Sequence, residues 1–446
     1  MIKYVRLKNF KSFGDTSFDF TNSNKTPKKL IGIYGENGSG KSNFIQSISF
    51  LMHSLITLSF QNNINKMLDE KQVALNEKDI KQYIINSRES LSDEINECKT
   101  IGTTNDMEML FVFDVEGKEA YYKMIFDNES IISESLRYPL EKNMTTVFLI
   151  EKDNIKFNNN LFKDSKYQNE IKEDILKYFG KHTFLSIIVN QTQKYNQSYV
   201  IERIAPAFKT FIDSLFDICL LHKSVNQDEG LRPDQNEILT NLFQGRYIYS
   251  EKILNIINNC EKALNNFLVP LYSDIKEVVY EKTKKGNEIL YQLYINKLID
   301  GEVRHVPFVL ESTGTIKLLT IFPLIYDVMV GKTVLIDEID TGIHDILMET
   351  IIVTIQKQAK GQLIFTTHNT LLLKSLNPEY AYSITSDING CKQVHCFKDF
   401  ERIQSRNNMA DRYLSGAYGG IPFTGYFDLM GLVTEVENSS NEKNKC

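Results

Sequence analysis

The chain has 446 residues, of which 42% are hydrophobic and 24% are charged, so it can bury a core and is not an intrinsically disordered protein. Its formal net charge is −6, which excludes a chain that binds nucleic acid through overall positive charge. The six cysteines form no CxxC pair, as is typical of a reduced intracellular protein.

No stretch of the sequence predicts a membrane span or a secretory leader. The longest apolar stretch, residues 318–330, contains Pro323 and Asp327 and is too short to cross a bilayer. The first ten residues carry charges among their apolar positions and have no small-residue cleavage site. We therefore expect a cytoplasmic protein without membrane contact.

The first 34 residues predict a β-hairpin followed by a buried strand. Apolar and polar residues alternate over 2–10 and again over 17–20, with a short turn between them. A turn-rich segment, 21–29, then leads to the apolar run 30–34, LIGIY.

Directly after this run, residues 35–42 read GENGSGKS, which fits the phosphate-loop pattern GxxxxGK[ST] between a strand and a helix. Its glycines let backbone N–H groups face the phosphates, close to the positive end of the next helix. Lys41 is predicted to reach the β- and γ-phosphates of ATP, and the Ser42 hydroxyl to bind Mg²⁺. The predicted nucleotide-binding residues of this segment are Gly35, Asn37, Gly38, Ser39, Gly40, Lys41, Ser42 and Asn43.

The middle of the chain changes its periodicity twice. One long helix is predicted from residue 42 to about 60, and a polar stretch with weak helical patterning follows it. Period-two alternation then predicts antiparallel strands at 107–115, 120–126, 131–137 and 147–156. Helical spacing returns in segments near 168–179, 199–221, 233–245 and 250–268, before two more strands at 275–281 and 289–298. No heptad pattern persists, which argues against long coiled-coil arms.

A second acidic motif lies in the C-terminal half, where residues 333–340 read TVLIDEID. A strand ending in Asp337 places a carboxylate where it can hold the Mg²⁺ shell, and Glu338 one residue later can polarise an attacking water. Alone this pattern is weak, but together with the phosphate loop it predicts one nucleotide site.

Two further segments are candidate parts of the same site, and their contact with the γ-phosphate is what the family resemblance given next implies. Ser312 and Gly314 begin an apolar helix, and a helix N-terminus suits an anion, although an ordinary capped helix has the same pattern. His368 ends the apolar run 363–367, where an ordinary surface histidine is the alternative.

These motifs together resemble the ABC-type ATPase heads of the SMC, RecF and OLD branch. The matching segments are NFKSFGD (9–15), GENGSGKSN (35–43), ESTGT (311–315), VLIDEID (334–340) and FTTHN (365–369). The resemblance implies an α/β fold: a mixed sheet flanked by helices, with an antiparallel β subdomain and here a helical insertion. It also implies ATP and Mg²⁺ as ligands, catalytic roles for Glu338 and His368, and a D-loop at Asp340. In such heads the signature segment, here at Ser312 and Gly314, binds the nucleotide held by the opposite protomer, so a head-to-head dimer or a higher assembly is expected.

The compact layout and the late segment DRYLSGAYGGIPF (411–423) further resemble the stand-alone AAA-family ATPases of bacterial phage-defence and abortive-infection loci, such as RloA, AbiLi and the PARIS ATPase AriA. This resemblance implies a sensor or scaffold that controls a separately encoded nuclease or toxin and is triggered by a phage protein or DNA. The signature has Ser-Thr-Gly where transporters have Ser-Gly-Gly, and no Q-loop glutamine is assigned.

Two other functions fit the same motifs. One is a RecF-like DNA-binding ATPase of DNA repair, and the other is a housekeeping ATPase that does not act on nucleic acid. An adjacent toxin or nuclease gene would favour defence, whereas replication genes would favour repair.

The motifs divide the chain into six predicted parts. These are the N-terminal half of the ATPase head (1–60), a peripheral helical insertion (61–105), an antiparallel β meander (106–160), a helical insertion domain (161–272), the C-terminal half of the head (273–425) and a tail (426–446).

Overall fold

The computed structural model describes residues 1–69, 90–152, 154–194, 197–223, 228–231, 237–400, 408–421 and 428–434. The strands are β1 (Ile2–Phe10), β2 (Phe13–Asp19), β3 (Leu30–Tyr34), β4 (Met107–Val115), β5 (Lys118–Phe126), β6 (Ile131–Arg137), β7 (Thr146–Glu151), β8 (Asn154–Phe157), β9 (Ile218–Lys223), β10 (Asp228–Leu231), β11 (Gln244–Ile248), β12 (Ile275–Lys285), β13 (Glu288–Ile299), β14 (Glu302–Pro307), β15 (Thr333–Ile336), β16 (Gln362–Thr366), β17 (Ala381–Ser386) and β18 (Lys392–Cys396). The helices are α1 (Lys41–Ser54), α2 (Thr57–Asp69), α3 (Leu91–Cys98), α4 (Ser165–Tyr178), α5 (Phe184–Lys194), α6 (Gln197–Ile201), α7 (Pro206–Phe216), α8 (Glu237–Thr240), α9 (Glu251–Leu268), α10 (Thr313–Val330), α11 (Asp345–Gln358) and α12 (Met409–Leu414).

A central sheet organises the molecule, with the strand order β10-β9-β15-β16-β3-β17-β18. The five strands from β9 to β17 are parallel, and β10 and β18 run antiparallel at the two edges. Residues along these strands alternate between two hydrophobic cores: Ile31 and Ile364 face one core, while Leu30 and Leu363 face the other. Both faces of the sheet are therefore buried, as parallel sheets require.

A seven-stranded antiparallel sheet, in the order β2-β1-β4-β5-β6-β7-β8, covers one of these cores. Its pairing confirms the predicted N-terminal hairpin and the predicted meander. The buried Gln362 side chain joins this sheet to the central one, because it bonds both the N–H of Ile2 (2.7 Å) and the carbonyl oxygen of Lys28 (2.8 Å).

A third, four-stranded antiparallel sheet lies on the other core, beside α9 and α10. Strand β13 pairs with β12 along one side and with β11 and then β14 along the other. Together the three sheets and their helices confirm the predicted fold class, a mixed sheet flanked by helices with an antiparallel β subdomain.

The single long helix predicted over 42–60 is wrong, because it is broken between α1 and α2. An unbroken helix would bond the N–H of Leu58 to the carbonyl of Ser54. Instead the Thr183 hydroxyl donates to the Ser54 carbonyl (2.8 Å), and the Leu58 N–H donates to the Ser186 hydroxyl (3.0 Å). Two side chains distant in sequence thus replace the helical bond.

The helical interpretation of 199–221 and 233–245 is also wrong in part. Strand β9 begins inside the first segment and pairs in parallel with β15, and β11 begins inside the second. The apolar run of β9 is short, and a buried strand lacks the alternation that distinguishes it from a helix. Strand β11, in contrast, is partly exposed and pairs with β13 in the four-stranded sheet. The region assigned to a helical insertion therefore contributes two strands, β9 and β10, to the central sheet.

Other predicted segments lie partly outside the described residues. Within 61–105, α3 buries Leu91 and Ile95 in the core, whereas 70–89 lies outside the described part of the chain. Of the tail, only 428–434 is described. The domain boundaries stay predictions.

Helix α10 is, among the described helices, the one long and apolar enough by composition to cross a membrane. Its Leu318, Leu319 and Ile321 are fully buried against neighbouring elements, and 44% of the helix is inside the fold. These contacts pack part of α10 into the core, while Tyr326 and Val330 are exposed.

A buried carboxylate, Glu134 on β6, joins the antiparallel sheet to the start of α5. It accepts hydrogen bonds from the Tyr122 hydroxyl (2.8 Å) and from the backbone N–H groups of Phe184 and Leu185. Burial raises its pKa to about 7, although these three donors oppose the rise. The fold thus favours the protonated form of Glu134. The contribution of Glu134 to the free energy of unfolding is fully present below pH 4.5 and is lost as the pH rises through about 7.

We expect Glu134→Gln to flatten the pH dependence of stability, because the neutral amide occupies the same position without a buried charge. The melting temperature of the wild-type protein should fall between pH 5 and pH 8 by several degrees more than that of the variant. Thermal melts by circular dichroism at four pH values measure this, with the exposed Glu129→Gln as the control. Equal slopes for the wild-type protein and Glu134→Gln would contradict the prediction.

Candidate nucleotide-binding site

The candidate site lies at one edge of the central sheet, where β3, β15 and β16 end. These strands are parallel neighbours in register, with Ile336 opposite Phe365 and Phe365 opposite Gly32. Their carboxyl ends therefore meet, and the loops that follow them carry the predicted site residues. In an open parallel sheet this edge is where ligands bind.

The phosphate loop connects β3 to α1 and is crowded at two glycines. At Gly35 a Cβ atom would lie 2.6 Å from the Ser39 hydroxyl oxygen and 2.9 Å from the carbonyl oxygen of Ile384. At Gly40, with φ of 111°, it would lie 2.9 Å from the Phe13 ring. Side chains at these positions would displace the loop, so the glycines are required by close approach of neighbouring groups.

Lys41, at the start of α1, is buried and turned onto its own loop. Its ammonium donates to the carbonyl oxygens of Gly35 (2.8 Å) and Glu36 (3.0 Å). Burial lowers its pKa to about 8, while the negative charges of Asp337 and Glu338 oppose this. The loop thus holds a poorly solvated cation, which an incoming phosphate can neutralise.

The other loop residues differ in their exposure. Ser39 is buried, and its hydroxyl has no hydrogen-bond partner within the described ranges. Asn37 and Gly38 are exposed, Ser42 lies half-buried in the first turn of α1, and the Asn43 amide donates to the Ser12 hydroxyl (2.8 Å). The unpaired Ser39 hydroxyl is a polar group that a ligand at the loop could satisfy.

Asp337 and Glu338 follow β15 and share one partner, Thr366 at the end of β16. The Thr366 hydroxyl donates to Asp337 Oδ1 and accepts from the Glu338 backbone N–H (2.8 Å). A single hydroxyl therefore fixes both the Asp337 carboxylate and the backbone of Glu338. Sequence reasoning missed Thr366, since only its place at the end of an apolar run could have indicated it.

Glu338 has a left-handed backbone conformation, with φ of 47°. This conformation is uncommon for residues other than glycine, and such strain occurs preferentially at functional sites. Its carboxylate accepts from the Thr341 hydroxyl (3.1 Å), which orients it within the loop after β15.

His368 and Asp340 occupy the same edge. Partial burial and then the charge of Lys41 lower the pKa of His368, whereas Glu338, Asp340 and Asp337 act to raise it. Its imidazole is thus neutral at physiological pH. Asp340 Oδ1 accepts from the Thr367 hydroxyl (2.6 Å), so the loops after β15 and β16 are joined a second time.

Ser312 is the N-cap of α10, and its hydroxyl oxygen accepts from the N–H of Thr315 (3.2 Å). A Cβ atom at Gly314 would lie 2.5 Å from the carbonyl oxygen of Gly342. The start of α10 and the loop after Asp340 therefore form one continuous surface.

The preceding residue, Glu311, is buried and ion-paired with Lys297 on β13, at 3.0 Å. Lys297 also pairs with Asp274 at 3.2 Å. The Lys297–Glu311 ion pair thus connects the four-stranded sheet to the start of α10.

The donor set suits Mg²⁺ bound together with a nucleotide. No cluster of three or more metal-ligating side chains occurs within the described part of the chain. Mg²⁺ keeps several waters and binds proteins through one or two oxygen ligands plus phosphates. Ser42 and Asp337 would supply one hydroxyl and one carboxylate of this kind.

Two family descriptions match the chain. "AAA domain" matches residues 4–285, more than half of the chain, and "AAA domain, putative AbiEii toxin, Type IV TA system" matches residues 221–374. Together they span the phosphate loop, the acidic pair and His368.

Among similar proteins, the Retron Vc95 probable ATPase of Vibrio cholerae serotype O1 biovar El Tor is 22% identical over 404 residues, which cover 84% of this chain and 72% of that protein. The DNA replication and repair protein RecF of Francisella tularensis subsp. novicida is 44% identical over 71 residues. That match covers 16% of this chain and 19% of RecF.

Two solved structures are also similar, each at 15% identity. The SMC head domain from Thermotoga maritima has a TM-score of 0.37 and is matched over 89% of this chain and 98% of its own. An SMC head bound to the C-terminal winged-helix domain of ScpA has a TM-score of 0.45, with coverage of 88% and 97%. From the family match the chain belongs to the AAA domain family, and by its site motifs it resembles the SMC/RecF-like ABC-type ATPases and the ATPases of abortive-infection systems.

Proposed function

We propose that the protein binds ATP with Mg²⁺ at the phosphate loop and hydrolyses it to ADP and phosphate. The observation that carries this proposal is the arrangement at the sheet edge. Thr366 holds Asp337 and Glu338 together, and both carboxylates act electrostatically on Lys41. In the proposed reaction Lys41 and the loop N–H groups bind the phosphates, Ser42 and Asp337 hold Mg²⁺, and Glu338 accepts a proton from the attacking water. His368, as a neutral imidazole, contacts the γ-phosphate.

We further propose that two protomers join head to head when ATP is bound. In this assembly Ser312 and Gly314 of one protomer complete the nucleotide site of the other, with Asp340 beside them. Exposed apolar side chains next to these segments support the proposal: Val309 and Leu310 precede Ser312, and Ile346 follows the loop that carries Asp340. Apolar surface in this position favours association with a second chain.

For the biological role we propose a cytoplasmic sensor or scaffold of an anti-phage defence system, which controls a separately encoded nuclease or toxin. Two findings support it. Residues 221–374 match the family described as "AAA domain, putative AbiEii toxin, Type IV TA system", and the Retron Vc95 probable ATPase aligns along most of both chains. The trigger would be a phage protein or DNA. The alternative, a RecF-like DNA-repair ATPase, is favoured by the 71-residue match to RecF.

A phage-plating experiment separates the two roles. Cells carrying the gene with its neighbouring genes should form fewer phage plaques than cells with an empty vector. The protection should disappear in Lys41→Ala, and also when the neighbouring gene is deleted and the ATPase is retained. If plaque numbers are unchanged by the wild-type locus, and gapped DNA stimulates ATP hydrolysis by the purified protein, the repair function is favoured instead.

A further inference from the structure

The segment 408–421 follows all of the motifs assigned to catalysis, yet it lies against the phosphate loop. It contains α12, whose Met409, Ala410 and Tyr413 are buried, and then three glycines with positive φ. These are Gly416 (85°), Gly419 (66°) and Gly420 (71°).

Gly420 contacts the first glycine of the phosphate loop. A Cβ atom at Gly420 would lie 3.1 Å from the Cα atom of Gly35 and 3.3 Å from the carbonyl oxygen of Ile384. The same Ile384 carbonyl would lie 2.9 Å from a Cβ atom at Gly35. Three backbone segments therefore meet at the point where the loop leaves β3, and neither Gly35 nor Gly420 has space for a side chain there.

Hydrogen bonds hold Gly420 in this position. The Tyr413 hydroxyl donates to the carbonyl oxygen of Gly420 (2.9 Å), and the buried Ser383 hydroxyl donates to that of Tyr418 (2.7 Å). Ser383 is part of β17, which pairs with β3. The segment is thus tied to the sheet strand that borders the loop.

Aromatic rings also pack between this segment and the end of β3. Phe397 stacks on Tyr418 at 4.1 Å between ring centroids, and Tyr413 lies edge-on to Tyr34 at 5.6 Å. Tyr34 is the residue directly before Gly35. Rings of this size packed into a core restrict the movement of the backbone that carries them.

We propose that Tyr413 and Gly420 are positioning residues for the phosphate loop. Gly420 limits where the backbone of Gly35 can lie, Tyr413 holds Gly420, and the C-terminal segment thereby sets the affinity of the loop for ATP without contacting ATP. A shift of the loop misplaces the N–H groups that face the phosphates, and small misplacements at such sites have large effects. The inference rests on the proposed binding of ATP at this loop.

The chain offers a matched pair of variants to test this. Gly416 and Gly420 both have positive φ, so Ala at either position introduces similar backbone strain. A Cβ atom at Gly416, however, meets no described atom within 4 Å, whereas one at Gly420 reaches the loop. The difference between Gly420→Ala and Gly416→Ala therefore isolates the contact with Gly35.

We expect Gly420→Ala to raise the Kd for MgATP and the KM for ATP about tenfold, with kcat changed less than KM. Gly416→Ala should keep the wild-type Kd while losing a similar amount of melting temperature. Isothermal titration calorimetry, steady-state kinetics and thermal melts on the full chain give these values. Equal Kd values for the two variants would overturn the inference.

Tyr413→Phe keeps the ring and removes only the hydroxyl that holds Gly420, so it tests the same idea if Gly420→Ala does not fold. Its Kd for MgATP should rise by severalfold, and an unchanged Kd would overturn the inference. If the wild-type protein itself does not bind MgATP, the proposed function fails as well. If it binds and both variants bind equally well, only the positioning role fails.

Discussion

Replacing Glu338 by Gln is expected to leave ATP binding intact and to lower kcat on the order of a hundredfold or more. The carboxylate follows β15, with its backbone N–H bonded to Thr366 and its Oε2 accepting from the Thr341 hydroxyl. An amide of the same shape can accept the Thr341 bond but cannot take a proton from water. The defect should therefore lie in the chemical step, and the variant should trap bound ATP.

Single-turnover hydrolysis and equilibrium binding of ATP measure the two steps separately. A suitable control is Glu349→Gln, the same chemical change on α11, where the carboxylate bonds the Ser375 hydroxyl. That variant should hydrolyse ATP at close to the wild-type rate. Hydrolysis by Glu338→Gln at the wild-type rate would show that another group activates the water.

The second large effect is expected from mixing two inactive proteins. Lys41→Ala removes the phosphate-binding ammonium of a protomer, and Ser312→Arg obstructs the start of its α10. In a head-to-head dimer one mixed site carries both defects, while the other site combines an intact loop with an intact signature segment. Random pairing should restore about a quarter of the wild-type ATPase activity, since half of the dimers are mixed and each has one working site.

A matched control uses Lys41→Ala with Glu338→Gln. Both residues belong to the same half of the site, so every site in the mixed dimer has one defect and no activity should return. Activity restored by this control pair would mean that the chains do not share sites as proposed. A Glu338→Gln protein that stays monomeric with ATP, by light scattering, would exclude the dimer.

Local patterns in the sequence determine where the nucleotide elements lie. The apolar runs at 30–34 and 333–336 are strands in the structure, and the glycines and Lys41 directly after the first run mark the phosphate loop without any tertiary information. The hairpin and the meander can also be predicted from the sequence, because a half-exposed antiparallel strand alternates apolar and polar residues.

Only the tertiary structure decides which distant residues meet. Ser54 and Thr183 break one helix, and β9 joins the central sheet. Thr366 holds the Glu338 backbone and the Asp337 carboxylate through bonds that span 28 and 29 residues. Gly420 lies against Gly35 although most of the chain separates them. Such contacts leave no periodic trace in the sequence, because they depend on how sheets and loops are arranged in space, and a buried strand or a lone threonine looks the same wherever its partner lies.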